Sequence, residues 1–117
     1  MMELKKLTEC YGISGNESKA SEVFVTMLSK YTDDIKTDAL GNITGLIKSG
    51  KENAKKLLIE AHIDEVGLMI TGIEERGFLL FTPIGGTDPK ILPGSEVTVL
   101  GKERIYGVIG AKPPHLF

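Results

Sequence analysis

Apolar side chains in the first part of the chain recur with the spacing of helices. Leu4, Leu7 and Tyr11 lie three or four positions apart, which predicts a short first helix. A longer apolar stripe predicts an amphipathic second helix of about four turns. Its members are Ala20, Val23, Phe24, Met27, Leu28 and Tyr31.

A glycine-containing break at residues 12–15 separates the two predicted helices. Ser14 and Glu17 follow it with the spacing of a capping box, in which the two side chains satisfy free backbone N–H groups at a helix start. Asn16 is an alternative cap. We therefore expect the second helix to begin at this point.

After Tyr31 the pattern favours strands. Strands are predicted over residues 34–38, 43–48 and 56–61, with turns at 39–42 and 49–53. The strand at 56–61 carries apolar residues on both faces, which is typical of a central strand covered by helices on both sides. This section is therefore predicted to open an α/β sandwich.

From Val66 onward the pattern predicts strands and no helix. The predicted strands are 66–73, 78–82, 96–100 and 104–109, with turns at 74–77 and 101–103. Short strands with glycine-rich turns are typical of a small barrel or meander.

Composition narrows the class of protein. The chain has 117 residues, 41% of them hydrophobic and 26% charged, as in ordinary globular domains. A net charge of −2 provides no basic field for nucleic acid or a membrane surface. Cys10 is the single cysteine, so an internal disulfide and a cysteine-based zinc site are excluded. We interpret Cys10 as a small helix residue, and we expect a cytoplasmic protein without an export signal.

The candidate chemistry follows the predicted strand at 56–61. Residues i and i+2 of a strand face the same side, so His62 and Asp64 are predicted to lie side by side at its end. A histidine that binds a metal usually donates its other ring N–H to a carboxylate. By itself the His-x-Asp pattern is also typical of a pair of residues on the protein surface. Glu65 could equally be a solvated charge, and Gly67 a simple bend.

Four segments together resemble one family. They are "EAHIDEVGLMI" at 60–70, "GISGNE" at 12–17, "TDALGNI" at 37–43 and "GVIGAKPPHL" at 107–116. The resemblance is to the glutamyl aminopeptidase-like family of dinuclear metallo-aminopeptidases, the large tetrahedral aminopeptidases, some of them formerly labelled cellulases or endoglucanases.

The resemblance implies a mechanism and partners. Two divalent metal ions, zinc or cobalt, polarise the scissile carbonyl and activate a water, and a glutamate serves as general base. His62 matches the first metal ligand and Asp64 the carboxylate that orients it. The substrates are peptides cleaved from the N-terminus, and the subunits are expected to form dimers that build a tetrahedral dodecamer.

The other ligands of this family lie beyond the segments that match here. Residues 1–65 are expected to be the first segment of the α/β catalytic domain, and residues 66–117 the first part of an inserted β-barrel assembly domain. The chain alone is expected to be inactive and to hold no stable metal, since a catalytic zinc takes about three protein ligands. A separate C-terminal chain could supply the rest. His115 is expected to be structural, and Asp88, Glu74 and Glu75 to be loop charges.

Two other interpretations stay open. The chain could be a non-catalytic remnant that acts as an oligomerisation or binding module. It could also be an unrelated binding protein that contains a barrel.

Overall fold

The computed structural model describes residues 2–111. The chain divides into two compact units, with the boundary between Gly85 and Gly86. The first unit opens with helices α1 (Met2–Thr8) and α2 (Ser18–Leu28), which pack against each other. Both helices were predicted. The second is shorter than the predicted four turns, because Ser29 already lies at its C-terminal cap. None of the helices in residues 2–111 is both long and apolar enough to cross a membrane.

The predicted capping box does not form. Glu17 itself is the N-cap of α2, and its side chain makes no capping hydrogen bond. Its carboxylate instead accepts a hydrogen bond from the Gly15 N–H. Ser14 lies three residues before the cap, in a tight turn closed by a 2.7 Å hydrogen bond from Asn16 N to Ile13 O. Its hydroxyl donates a hydrogen bond to Asp64 and not to the start of the helix.

Cys10 lies just beyond α1 rather than inside it. Its half-buried thiol donates a hydrogen bond to the Lys6 carbonyl, with a sulfur–oxygen distance of 2.9 Å. The residue therefore closes the end of the helix, and its role in the structure is local.

Strands β1 (Ile35–Thr37) and β2 (Ile43–Gly45) form an antiparallel hairpin, each shorter than predicted. The turn between them is built on Asp38. One carboxylate oxygen accepts hydrogen bonds from the backbone N–H groups of Leu40 and Asn42, both at 2.9 Å. The other accepts one from the Asn42 amide, and these bonds lower the pKa of Asp38. The "TDALGNI" segment is thus a carboxylate-stabilised turn.

The core of the first unit lies where α2 meets the hairpin and the 12–16 turn. Ala20 of α2 is buried, and Gly12 lies so close that an added Cβ would be 3.0 Å from the Ala20 Cβ. Gly45 of β2 packs against Leu28, whose nearest methyl carbon would lie 2.6 Å from an added Cβ. Small residues therefore let the backbone approach α2 on two sides.

The prediction of a buried central strand at 56–61 is wrong for this chain. These residues form no strand, and Leu57, Leu58 and Ile59 are 85%, 77% and 84% exposed. A strand needs a neighbour that accepts its backbone hydrogen bonds, and β1 and β2 pair with each other instead. The segment has the sequence pattern of a strand but pairs with no strand within residues 2–111.

The first unit ends with the hairpin of β3 (Gly67–Ile73) and β4 (Leu79–Ile84). A β-bulge interrupts the register between Ile70 and Gly72. The turn is closed by 2.8 Å hydrogen bonds from Glu74 N to Phe78 O and from Gly77 N to Glu74 O. Gly77 takes the left-handed conformation, with φ of 83°, that this turn requires. The predicted turn at 74–77 is therefore confirmed.

The second unit contains a short 3₁₀ turn (Pro89–Ile91) and the antiparallel hairpin of β5 (Glu96–Leu100) and β6 (Arg104–Val108). Asp88 caps the 3₁₀ turn by accepting a 3.0 Å hydrogen bond from Lys90 N. Ile109 is buried and is bound to the backbone of Gly94 and Ser95. In the described part of the chain the later strands form two separate two-stranded sheets, so the predicted barrel stays a prediction.

Candidate active site

His62 and Asp64 lie side by side in the irregular segment that leads into β3. Nδ1 of His62 is 2.9 Å from Oδ1 of Asp64 and 3.0 Å from the Asp64 backbone carbonyl oxygen. The predicted i, i+2 contact is therefore formed, although no strand precedes it. The loop conformation brings the ring back over its own chain.

The two oxygen atoms near Nδ1 determine which nitrogen of the His62 ring carries the hydrogen. A carboxylate oxygen and a carbonyl oxygen both accept hydrogen bonds, so Nδ1 must carry the hydrogen. In the neutral ring, Nε2 then has a free lone pair. Nε2 has no hydrogen-bond partner among residues 2–111, and the His62 side chain is 85% exposed. The ring is thus oriented with Nε2, the nitrogen that carries no hydrogen, accessible.

Asp64 is bound at both of its carboxylate oxygens. Oδ2 accepts a hydrogen bond from the Ser14 hydroxyl, while Oδ1 faces His62. The hydrogen bond from Ser14, followed by the one from His62, holds the pKa of the Asp64 carboxyl below its ordinary value of 3.8. The carboxylate is therefore ionised at neutral pH and available to orient the ring.

Glu65 is not the simple solvated charge that its position in the sequence also suits. Its backbone N–H donates a 2.8 Å hydrogen bond to Gly12 O, and its carboxylate accepts a 3.1 Å hydrogen bond from Gly12 N. These bonds, with the parallel bridge between Ile13 and Glu65, join the 12–16 turn to the segment that carries His62.

Gly67 is required for space and not for a bend. It is the first residue of β3 and does not have a positive φ. A Cβ added to it would lie 2.6 Å from both Cδ1 and Cγ1 of Ile13. The glycine therefore allows Ile13 to pack directly on the strand that follows the site.

The described residues contain one candidate metal ligand with suitable surroundings. No group of three His, Cys, Asp or Glu side chains in residues 2–111 could hold a metal ion. Glu74 and Glu75 are exposed in the β3–β4 turn, and Asp88 is used as a cap. His115 lies outside the described residues. His62 therefore fits one coordination position of a metal site.

Sequence reasoning missed the part that Ser14 and Glu65 play at this site. Their local spacing indicated a helix cap for the first and a free charge for the second. The signal that could have identified them was the occurrence of "GISGNE" and "EAHIDEVGLMI" together, because the structure brings these two segments into contact.

Three known proteins are similar to nearly the whole chain. A lysyl aminopeptidase of Pyrococcus furiosus is 37% identical over 115 residues, which are 97% of this chain and 32% of that protein. A TET aminopeptidase from the marine sediment archaeon Thaumarchaeota archaeon SCGC AB-539-E09 has a crystal structure with a TM-score of 0.88 at 32% identity, covering 100% of this chain and 32% of its own. The TET1 peptidase of Pyrococcus horikoshii, which can assemble into a tetrahedron or a large octahedral shell, gives a TM-score of 0.80 at 41% identity, covering 98% and 34%.

The chain spans about a third of the length of these relatives. Its mixture of helices and strands is found within their aminopeptidase structures. The sequence profile of the M42 glutamyl aminopeptidase family matches residues 41–117, a range that includes His62 and Asp64. The chain therefore belongs to the M42 glutamyl aminopeptidase family.

Proposed function

We propose that the chain is the N-terminal part of a metal-dependent aminopeptidase, which removes residues one at a time from the N-terminus of peptides. The observation that carries this proposal is the His62 imidazole. It is bound through Nδ1 to Asp64 and directs a free Nε2 outward, within the segment that matches the family. That is the arrangement in which metal-binding histidines are usually found.

In this proposal His62 contributes one ligand to a pair of divalent ions, zinc or cobalt. Asp64 keeps the ring proton on Nδ1, fixes the plane of the ring and raises the basicity of Nε2. When bound, the ions would polarise the scissile carbonyl and make a water molecule more acidic. A catalytic zinc takes about three protein ligands, so the remaining ligands and the general base come from residues outside this chain.

The domain organisation is also proposed. Residues 1–65 would be the first segment of the catalytic α/β domain, and residues 66–117 the start of an inserted β-barrel. Beyond this boundary the described residues form hairpins and a short 3₁₀ turn but no α-helix, which supports it. It concerns the domains of the longer protein, whereas the division between the compact units of this chain falls between Gly85 and Gly86 in the sequence. We propose the cytoplasm as its location, on the basis of a single cysteine.

Assembly is a second proposed function, and it is compatible with the first. The β3–β4 hairpin exposes large apolar side chains at its tip, with Ile73 73% and Phe78 63% exposed. Exposed apolar patches mark surfaces that bind other proteins. The TET1 peptidase of Pyrococcus horikoshii can assemble into a tetrahedron or a large octahedral shell, and we propose that this chain likewise belongs to a homo-oligomer. As a non-catalytic module it would retain only this role.

One experiment separates the catalytic proposal from the non-catalytic module. Hydrolysis of glutamyl, lysyl and leucyl p-nitroanilides is measured together with metal content, for the chain alone and for the chain mixed with a second polypeptide that supplies the rest of an M42 aminopeptidase. The catalytic proposal predicts hydrolysis and bound divalent metal in the mixture only.

The control for this experiment is the same mixture prepared with His62→Ala. A mixture that associates, as shown by size-exclusion chromatography, but neither binds metal nor cleaves any of the three substrates would contradict the catalytic proposal. The same result would favour an assembly module.

A further inference from the structure

Three side chains form a continuous hydrogen-bonded line to the candidate ligand. The Ser14 hydroxyl donates to Oδ2 of Asp64, and Oδ1 of Asp64 lies 2.9 Å from Nδ1 of His62. Each carboxylate oxygen thus has a different side-chain partner. Rotation of the carboxylate about its terminal bond would break both bonds, so the Ser14 contact fixes the plane in which Asp64 meets the ring.

The backbone delivers Ser14 to this position. Gly12, two residues earlier, is bound to Glu65, the residue after Asp64, through a 2.8 Å hydrogen bond from Glu65 N and a 3.1 Å hydrogen bond to its carboxylate. Ile13 and Glu65 form a parallel bridge. Contacts on the neighbouring residues therefore hold Ser14 opposite Asp64, so that its hydroxyl lies within hydrogen-bonding distance of the carboxylate.

We propose that Ser14 is a positioning residue, whose hydroxyl holds the Asp64 carboxylate so that the His62 proton stays on Nδ1 and the Nε2 lone pair faces outward. The significance of Nε2 for metal binding rests on the proposed function. The effect of Ser14 on the tautomer of the His62 ring does not depend on the proposed function.

The exposure of the pair explains why such a brace matters. The side chains of His62 and Asp64 are 85% and 36% exposed, so water competes for both. An exposed neutral imidazole without a fixed acceptor populates both tautomers, and protonation at Nε2 would remove the lone pair that binds a metal. The Asp64 carbonyl at 3.0 Å gives Nδ1 a second acceptor, so loss of Ser14 should weaken the preference without abolishing it.

The test is the tautomer ratio of His62, read from the ¹⁵N chemical shifts of its ring at a pH where the imidazole is neutral. His115 is the other histidine of the sequence, and all proteins carry His115→Gln so that one ring is observed. The variants are Ser14→Ala and Ser14→Thr, which remove and keep the hydroxyl. Ser29→Ala is the matched control, because its hydroxyl donates to Thr26 O in the same unit and does not contact Asp64.

We expect a ring protonated mainly at Nδ1 in the parent, in Ser14→Thr and in Ser29→Ala. In Ser14→Ala the ratio should fall about two- to tenfold, the range that one exposed hydrogen bond supports. An unchanged ratio in Ser14→Ala would overturn the proposal. Should that variant not fold, Ser14→Cys takes its place, because its weaker donor should also lower the ratio, and an unchanged ratio there has the same meaning.

The outcome separates this inference from the proposed function. A shifted ratio in a protein that never gains metal or activity would leave Ser14 as the brace of the pair and would remove the aminopeptidase proposal. An unchanged ratio in the metal-free Ser14→Ala protein, together with metal binding and activity in the completed enzyme, would do the opposite.

Discussion

The contact between Gly67 and Ile13 gives a prediction whose size follows from the structure. In Gly67→Ala, the new Cβ would lie 2.6 Å from Cδ1 and Cγ1 of Ile13 and 3.0 Å from its Cγ2. Isoleucine is branched at Cβ and has few alternative rotamers, so these atoms cannot simply rotate away. Either Ile13 or the start of β3 must shift, and the 12–16 turn that carries Ser14 would shift with it.

The magnitude comes from two opposing terms. Overpacking of this kind typically costs about 1–3 kcal/mol. Replacing glycine by alanine reduces the freedom of the unfolded chain, which stabilises the folded state by about 0.4–1 kcal/mol. Gly72→Ala in the same strand provides the control, because its Cβ would meet only ordinary contacts, the nearest being Leu80 Cδ1 at 3.6 Å. The difference between the two variants cancels the second term and leaves about 1–3 kcal/mol from the clash.

Urea unfolding followed by circular dichroism measures this difference, at a protein concentration where light scattering gives a monomer. Gly67→Ala should unfold at lower urea than the parent or near it, and Gly72→Ala at slightly higher urea. Adding Ile13→Ala, which removes all three crowding atoms, should make Gly67→Ala nearly neutral. Equal midpoints for Gly67→Ala and Gly72→Ala would refute the packing argument.

Three further predictions follow from the site and its surroundings. Because the pKa of Asp64 is lowered in the folded state, its bonds should stabilise the protein fully above the ordinary value of 3.8 and lose this effect as the pH falls through the folded-state pKa. The difference in unfolding midpoint between the parent and Asp64→Asn should therefore shrink in that acid range, and a constant difference would count against it. The chain alone should retain less than one equivalent of zinc or cobalt after dialysis, since one histidine is its only oriented ligand in residues 2–111; two retained equivalents by mass spectrometry would be incompatible with this. Finally, Leu57, Leu58 and Ile59 are strongly exposed, so the chain should self-associate with rising concentration, and Leu58→Lys should reduce this in light scattering; a monodisperse monomer at high concentration would show the expectation to be wrong.

Hairpins were predicted well because their partners are local. The strand at 96–100 was predicted with its observed bounds, and the turn at 101–103 brings its partner, β6, directly alongside. Alternation and turn residues contain all the information that such a pair needs. The same reasoning located β3, β4 and the Asp38 turn to within a few residues.

The prediction of a strand at 56–61 failed because a strand there requires a pairing partner from elsewhere in the structure. Its apolar residues on both faces indicate a strand that other elements should cover, but hydrophobic pattern does not provide a hydrogen-bonding neighbour. Within residues 2–111 no strand pairs with it, and its side chains remain in water. The hydrophobic pattern of residues 56–61 favours a strand, but without a pairing strand in residues 2–111 the segment does not form one.

The sequence predicted only the part of the candidate site that depends on local contacts. The His62–Asp64 contact spans two residues and follows from local geometry. Ser14 lies fifty positions before Asp64, and its nearby Glu17 suggested a helix cap instead. Only the fold brings the hydroxyl to the carboxylate, so no periodicity could have assigned that contact.

We propose that His62 binds a metal, and that Asp64 orients it, in an M42 aminopeptidase. The most direct measurement is the metal content of a polypeptide in which this chain is joined to the rest of such an enzyme, compared among the parent, His62→Ala and Asp64→Asn. We expect His62→Ala to lose bound metal and most peptidase activity. Asp64→Asn should retain more metal but lose about 10- to 100-fold in affinity or activity. Parent-like metal content and turnover in His62→Ala would show that His62 is not a metal ligand.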